Sequence, residues 1–117
     1  MMHNEKKLAN IVEELTMFFF SIGATDIHSS VQIKDNHGKI EFDADYGIDN
    51  RERLNSLKKY LNEPKNEGLE DFYWELAGSG DPGETSQLLL VGMMIDKAEI
   101  SIEENRVKIN LYKELDA

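Results

Sequence analysis

Twice in this chain apolar and polar residues alternate with a period of two on both sides of a short polar turn, and each such unit predicts a β-hairpin with one apolar face. In the first, Ile27, Ser29, Val31 and Ile33 share one side and His28, Ser30, Gln32 and Lys34 the other. Asp35-Asn-His-Gly38 is the turn, a place where Gly and Asn tolerate positive φ. The return strand, Lys39–Tyr46, alternates more cleanly, with Ile40, Phe42, Ala44 and Tyr46 inward and Lys39, Glu41, Asp43 and Asp45 outward. In the second unit Ala98, Ile100 and Ile102 alternate with Glu99, Ser101 and Glu103, Asn105 sits in the turn, and Val107, Ile109 and Leu111 alternate with Lys108, Asn110 and Tyr112. Four half-apolar strands need a covering layer, and burial of all four apolar faces in one core favours a single sheet.

The segments between and before the hairpins carry the other period. Over 5–22, Leu8, Ile11, Val12, Leu15, Phe18, Phe19 and Ile22 keep the spacing of one helical face, Asn4 is placed to cap the start, and Gly23 to stop the helix. Phe20 widens the apolar arc, which predicts burial on more than one side. After Gly47, Asp49 or Asn50 caps a helix carrying Leu54, Leu57, Tyr60 and Leu61. A polar break with Pro64 precedes a short helix at 69–76, and a Gly-rich loop leads to a last helix from Thr85 to Asp96. That helix is apolar nearly all round, so it belongs in the interior. Gly92 within it costs about 1 kcal/mol against Ala, a sign of close packing against another backbone. The order is α-β-β-α-α-α-β-β, and the prediction is an α+β two-layer sandwich: one four-stranded, mainly antiparallel sheet made of two hairpins, with helices on one face.

A chain of 117 residues suits a single domain, 1–117. Thirteen basic residues against 23 acidic ones leave a net charge of −10, spread along the chain. Such a surface repels phosphate backbones and anionic lipid, which argues against nucleic-acid and membrane partners and leaves protein partners, self-association or a small ligand. With no cysteine there is neither a disulfide framework nor a thiolate metal site. No apolar stretch has the length of a signal-peptide core or a membrane span, and the chain reads as cytoplasmic.

The loop Gly78-Ser-Gly-Asp-Pro-Gly83 is formally G-x-G-x-x-G before a helix, but Phe72–Leu76 ahead of it looks helical, whereas a dinucleotide fingerprint needs a strand there. Amides near Gly83–Thr85, with the hydroxyls of Ser79, Thr85 and Ser86, suit a phosphate or carboxylate; Asp81 and Glu84 suit a self-capped helix start, the reading preferred. Glu41, Asp43 and Asp45 stand two apart on one strand face, a spacing open to a hard cation, but an ordinary solvated face is the reading preferred, since the sequence brings no further ligands close. His3, His28 and His37 have no metal-ligand spacing, and no nucleophile elbow is present. Tyr73 and Trp74 put one aromatic toward the core and the other near the Gly-rich loop.

In element order the chain resembles the ATP-binding domain of GHKL-type ATPases, over nearly its full length. Glu14 takes the place of the family's helix Glu, while Phe18 stands where the magnesium-binding Asn is expected. Asp45-Tyr-Gly47 matches the start of the second motif, with Asp49 at its next glycine, and Gly80-Asp-Pro-Gly83 resembles the third. The resemblance implies adenine read by Asp45 beside Gly47, and phosphates held by the loop of Gly78, Gly80, Gly83 and Thr85, with ATP or ADP as ligand. With Phe18 in place of the Asn, it implies no competent phosphoryl transfer. Two readings stand: a small regulatory or binding domain of GHKL-like architecture without kinase chemistry, and a protein-interaction module, homodimeric in one form, using Phe18–Phe20, Tyr73, Trp74 and Tyr112. A metal enzyme on the acidic strand face is a distant third. No catalytic residue is assigned.

Overall fold

The computed structural model describes residues 3–62, 88 and 91–115. Their elements run α1 (His3–Ser21), β1 (Ile27–Lys34), β2 (His37–Asp45), a 3-10 helix (Ile48–Leu54), α2 (Asn55–Asn62), β3 (Lys97–Ile102) and β4 (Arg106–Glu114), with residues 91–94 also helical. The predicted helix at 69–76, the Gly-rich loop and the aromatic pair Tyr73 and Trp74 lie outside the described residues.

The two hairpins join into one antiparallel sheet in the order β1-β2-β4-β3. Ile40 faces Leu111, Phe42 faces Ile109 and Ala44 faces Val107, so the inward stripes of β2 and β4 make one continuous apolar surface. All six of these side chains are buried. The layer above them is α1, α2 and the 91–94 helix. This is the α+β two-layer arrangement that the alternation predicts, with the central strands β2 and β4 contributed one by each hairpin.

α1 lays Leu8, Ile11, Leu15, Phe18, Phe19 and Ile22 on the sheet, all nearly or wholly inaccessible. Phe19 stacks against Phe42 at 5.3 Å and meets Phe18 edge-on at 5.4 Å. The helix buries one stripe only. Phe20, expected inside, is 58% exposed because it projects from the far side of the helix, with Met17 beside it in the same condition. Asn4 falls within the first turn, since the helix already begins at His3. The stop is as the sequence signals. Gly23 has φ +90°, its amide bonds Phe20 O at 3.1 Å, and the Ala24 amide reaches Phe19 O at 2.9 Å. Those paired bonds form a Schellman end, which uses the left-handed residue to satisfy the last carbonyls.

The first turn is tighter than the four residues that composition suggests. Asp35 and Asn36 alone take positive φ, 52° and 62°, while His37 and Gly38 already pair with Lys34 and Ile33. Two left-handed central residues match the twist of a two-residue hairpin. α2 begins through the 3-10 helix and has no side-chain cap at Gly47. Asn50, expected as a cap, donates its side-chain amide to Ile22 O at 3.2 Å, and Arg53 donates to Ser21 O at 3.1 Å, tying the α2 unit to the end of α1. Leu88, Val91 and Ile95 are buried, and a Cβ on Gly92 would collide with the Tyr60 carbonyl of α2. The glycine cost visible in the sequence is thus a close approach between helix backbones.

The largest departure is β1. Ile27, Ser29, Val31 and Ile33 do share the inner face, since they stand opposite Ala44, Phe42, Ile40 and Gly38. Yet Val31 is 46% and Ile33 52% exposed, whereas Ile40, directly across from Val31, is 1% exposed. Among the described residues the helical layer meets β1 at Ile27 and leaves Val31 and Ile33 exposed.

Candidate functional site

The end of β2 gathers the described members of the predicted ligand site. Asp45 Oδ1 accepts the Thr25 amide at 2.7 Å and the Asp26 amide at 3.0 Å, and Oδ2 accepts the Thr25 hydroxyl at 2.7 Å. These bonds, that from the Thr25 hydroxyl foremost, hold the Asp45 carboxyl below the usual range. Its donors are the two residues that lead into β1, so Asp45 fixes how the chain enters the sheet after α1. Gly47 sits beside it with its amide on Ile22 O at 2.8 Å. Its backbone lies so near Gly23 that a Cβ on Gly23 would stand 3.2 Å from the Gly47 Cα. Asp45 and Gly47 are therefore together, at the joint of α1, β1 and β2. Gly78, Gly80, Gly83 and Thr85, like Ser79 and Ser86, lie outside the described residues.

Phe18, the position of the expected magnesium ligand, is a core side chain under α1. Glu14, one turn earlier, is half-buried, and burial, with Glu13 adding, pushes its carboxyl above the ordinary value.

The acidic row of β2 faces the open side of the sheet, and its charges are met locally. Arg106 on β4 donates Nε to Asp43 Oδ1 at 2.6 Å and Nη1 to Asp26 Oδ2 at 2.9 Å, joining β2, β4 and the residue that leads into β1 with one guanidinium. Glu41 pairs with Lys39 at 3.1 Å. Across from Asp43 and Glu41 the register sets Lys108 and Asn110. The row is a cross-strand ion-pair lattice, and among the described residues no group of three acidic or histidine side chains is arranged to hold a metal ion. Tyr112 is built into the same face, with its hydroxyl on Glu99 at 2.8 Å and Lys39 and Lys97 within 5.8 and 5.6 Å of the ring. Two open depressions flank the lattice: one of about 320 Å³ between His28, Asp43 and Lys108, and one of about 510 Å³ by the first turn, bordered by Lys34, Lys39 and Glu114. Both have mixed-charge walls.

The remaining unusual feature is the outer edge of β1. The Asp45 amide bonds Asp26 O at 3.2 Å, so the backbone of Asp26 is turned toward β2. Strand alternation then turns His28, Ser30, Gln32 and Lys34 toward β2 and leaves the amides and carbonyls of Ile27, Ser29, Val31 and Ile33 pointing outward. Among the described residues no strand pairs with that edge. Eight residues long, without proline or bulge, and with Val31 and Ile33 exposed, β1 lacks, among the described residues, the usual protections of an edge strand except Lys34. The sequence carries only a weak hint of this: two adjacent serines, Ser29 and Ser30, sit where the other strands carry at least one apolar side chain.

Among the described residues no helix is long and apolar enough to cross a membrane. No protein-family model, curated protein or solved structure matches the chain.

Proposed function

We propose that this chain is a binding domain that works through a protein partner at the β1 edge, with no chemistry of its own. The observation that carries this reading is the combination of a strand edge that no other strand among the described residues pairs with and exposed Val31 and Ile33 on the face that is otherwise core. A strand edge of this kind supplies main-chain hydrogen bonds for affinity and alternate side chains for specificity.

The competing reading is the GHKL-like one, a domain that binds ATP or ADP between Asp45, Gly47 and the loop of Gly78, Gly80, Gly83 and Thr85. Its support is the adjacency of Asp45 and Gly47 at the end of β2. Against it stands the Asp45 carboxylate, which already accepts three hydrogen bonds from Thr25 and Asp26. Thermal melting with ATP, ADP and Mg²⁺ separates the two. The binding-domain reading expects no change in Tm at millimolar nucleotide. A Tm that climbs with nucleotide concentration, and no longer does so in Asp45→Asn, would overturn it.

A further inference from the structure

We propose that the occupant of the β1 edge is a second copy of this chain, paired antiparallel about a two-fold axis through Ser30 to give one continuous eight-stranded sheet. This rests on the reading of β1 as the binding edge and goes further by naming the partner and its register.

The charge pattern selects the occupant. The chain carries a net −10, so two copies repel over most of their surfaces. β1 is the exception: Ile27–Lys34 contains no carboxylate, and its only formal charge is Lys34. The adjoining acids are Asp26, whose side chain is 56% exposed, and Asp35, which lies in the turn that follows Lys34. The other edge strand, β3, carries Glu99 and runs into Glu103 and Glu104.

With Ser30 on the axis, Lys34 of each copy stands across from Asp26 of the other, so the only formal charge of the strand meets an acid, twice, while Asp35 falls across from Thr25, beyond the strand. On the inner face the same register sets Ile27 against Ile33 and Ser29 against Val31. These four outward-pointing residues of each strand would then form hydrogen-bonded pairs with the other copy, so every free amide and carbonyl between Ile27 and Ile33 finds a partner. A slip of two residues one way sets Lys34 against His28; a slip the other way leaves Gln32, Ile33 and Lys34 without opposite residues in β1. A slip of one residue sets the inner face of one copy beside the outer face of the other. The symmetric register is thus the one in which charge, apolar match and ladder agree, and an isologous patch of this kind closes at two copies.

The absence of cysteine from the chain makes the register directly readable. In the proposed pairing the two Ser30 residues form a non-hydrogen-bonded pair with Cα atoms about 4.5 Å apart, within the span a disulfide bridges. The two Gln32 residues lie about 13 Å apart along the strands. Ser30→Cys and Gln32→Cys, both on the solvated face, should melt like the parent, and mild oxidation should link Ser30→Cys into a covalent dimer and leave Gln32→Cys unlinked. Sedimentation equilibrium of the parent should give twice the chain mass, with Lys34→Glu weakening association by about tenfold or more, since the like charge then faces Asp26. A parent that stays monomeric at high micromolar concentration overturns the proposal, as does equal crosslinking of the two cysteine variants. If the parent is monomeric and nucleotides leave Tm unchanged, only the second copy is lost as occupant; a nucleotide-dependent Tm removes the underlying reading instead.

Discussion

Asp45 and Thr25 are joined twice over, the Thr25 amide on Oδ1 and the Thr25 hydroxyl on Oδ2, each at 2.7 Å. An aspartate that the sequence marks for a ligand thereby holds the α1–β1 connection. Asp45→Asn keeps the shape but replaces one acceptor oxygen by a donor facing another donor, which should cost about 1–2 kcal/mol in denaturant unfolding. The acid limb should change too. The folded Asp45 carboxyl lies below its ordinary 3.8, so its contribution is complete above that pH and is lost as pH falls through the lower folded value. The Asn variant should lack that part of the acid limb; an unchanged limb would mean the Thr25 bonds contribute nothing.

Val31 and Ile40 are cross-strand neighbours on one face with opposite fates, 46% and 1% exposed. Val31→Thr and Ile33→Thr keep β-branching and should each shift stability by less than about 0.5 kcal/mol. Ile40→Ala should cost about 2–5 kcal/mol. Equal losses at Val31 and Ile40, measured by urea unfolding, would show that β1 is covered in solution.

Gly92→Ala opposes two effects of known sign. Helix propensity alone favours alanine by about 1 kcal/mol. The added Cβ would meet the Tyr60 carbonyl, a backbone atom of α2 that cannot swing aside. Overpacking of this kind costs about 1–3 kcal/mol, so net destabilisation is expected in thermal or chemical unfolding. A stabilised variant would mean that the helices stand further apart.

Glu14 should behave oppositely to Asp45. Burial raises its folded pKa above 4.5, so the folded state binds its proton more tightly, and stability declines as pH rises from 4.5 through the folded value. Glu14→Gln should therefore gain stability relative to the parent at pH 7 and lose that advantage below pH 4.5. The comparison needs only unfolding curves at two pH values.

Much of the architecture is legible along the chain because period is a local property. The run from Ile40 to Ala44 and the run from Val107 to Leu111 state their buried faces outright, the Leu8–Ile22 stripe states its helix, and Gly23 states its end. The turn at Asp35 was readable as a turn but not as a two-residue one, because Gly38 looks like the residue with freedom while Asp35 and Asn36 adopt the left-handed conformation. Phe20 misled because apolarity marks a residue as able to be buried and says nothing of whether a second layer exists on that side.

The site is where local reading ends. Asp45 carries the same letters whether it awaits a ligand or accepts bonds from Thr25 and Asp26, and the difference rests on residues about twenty positions apart brought together by the α1–β1 joint. Arg106 joins Asp43 and Asp26 across 63 and 80 positions, respectively, which no spacing rule anticipates.

By itself the sequence determined four amphipathic strands, the helices to cover them, and an acidic surface, since backbone periodicity and charge are written residue by residue. Only the tertiary structure decided that β2 and β4 are the centre and β1 an edge. Strand order depends on how the two hairpins meet, and the same period-two alternation is core at Ile40 beneath α1 and exposed at Val31 and Ile33 one strand further out.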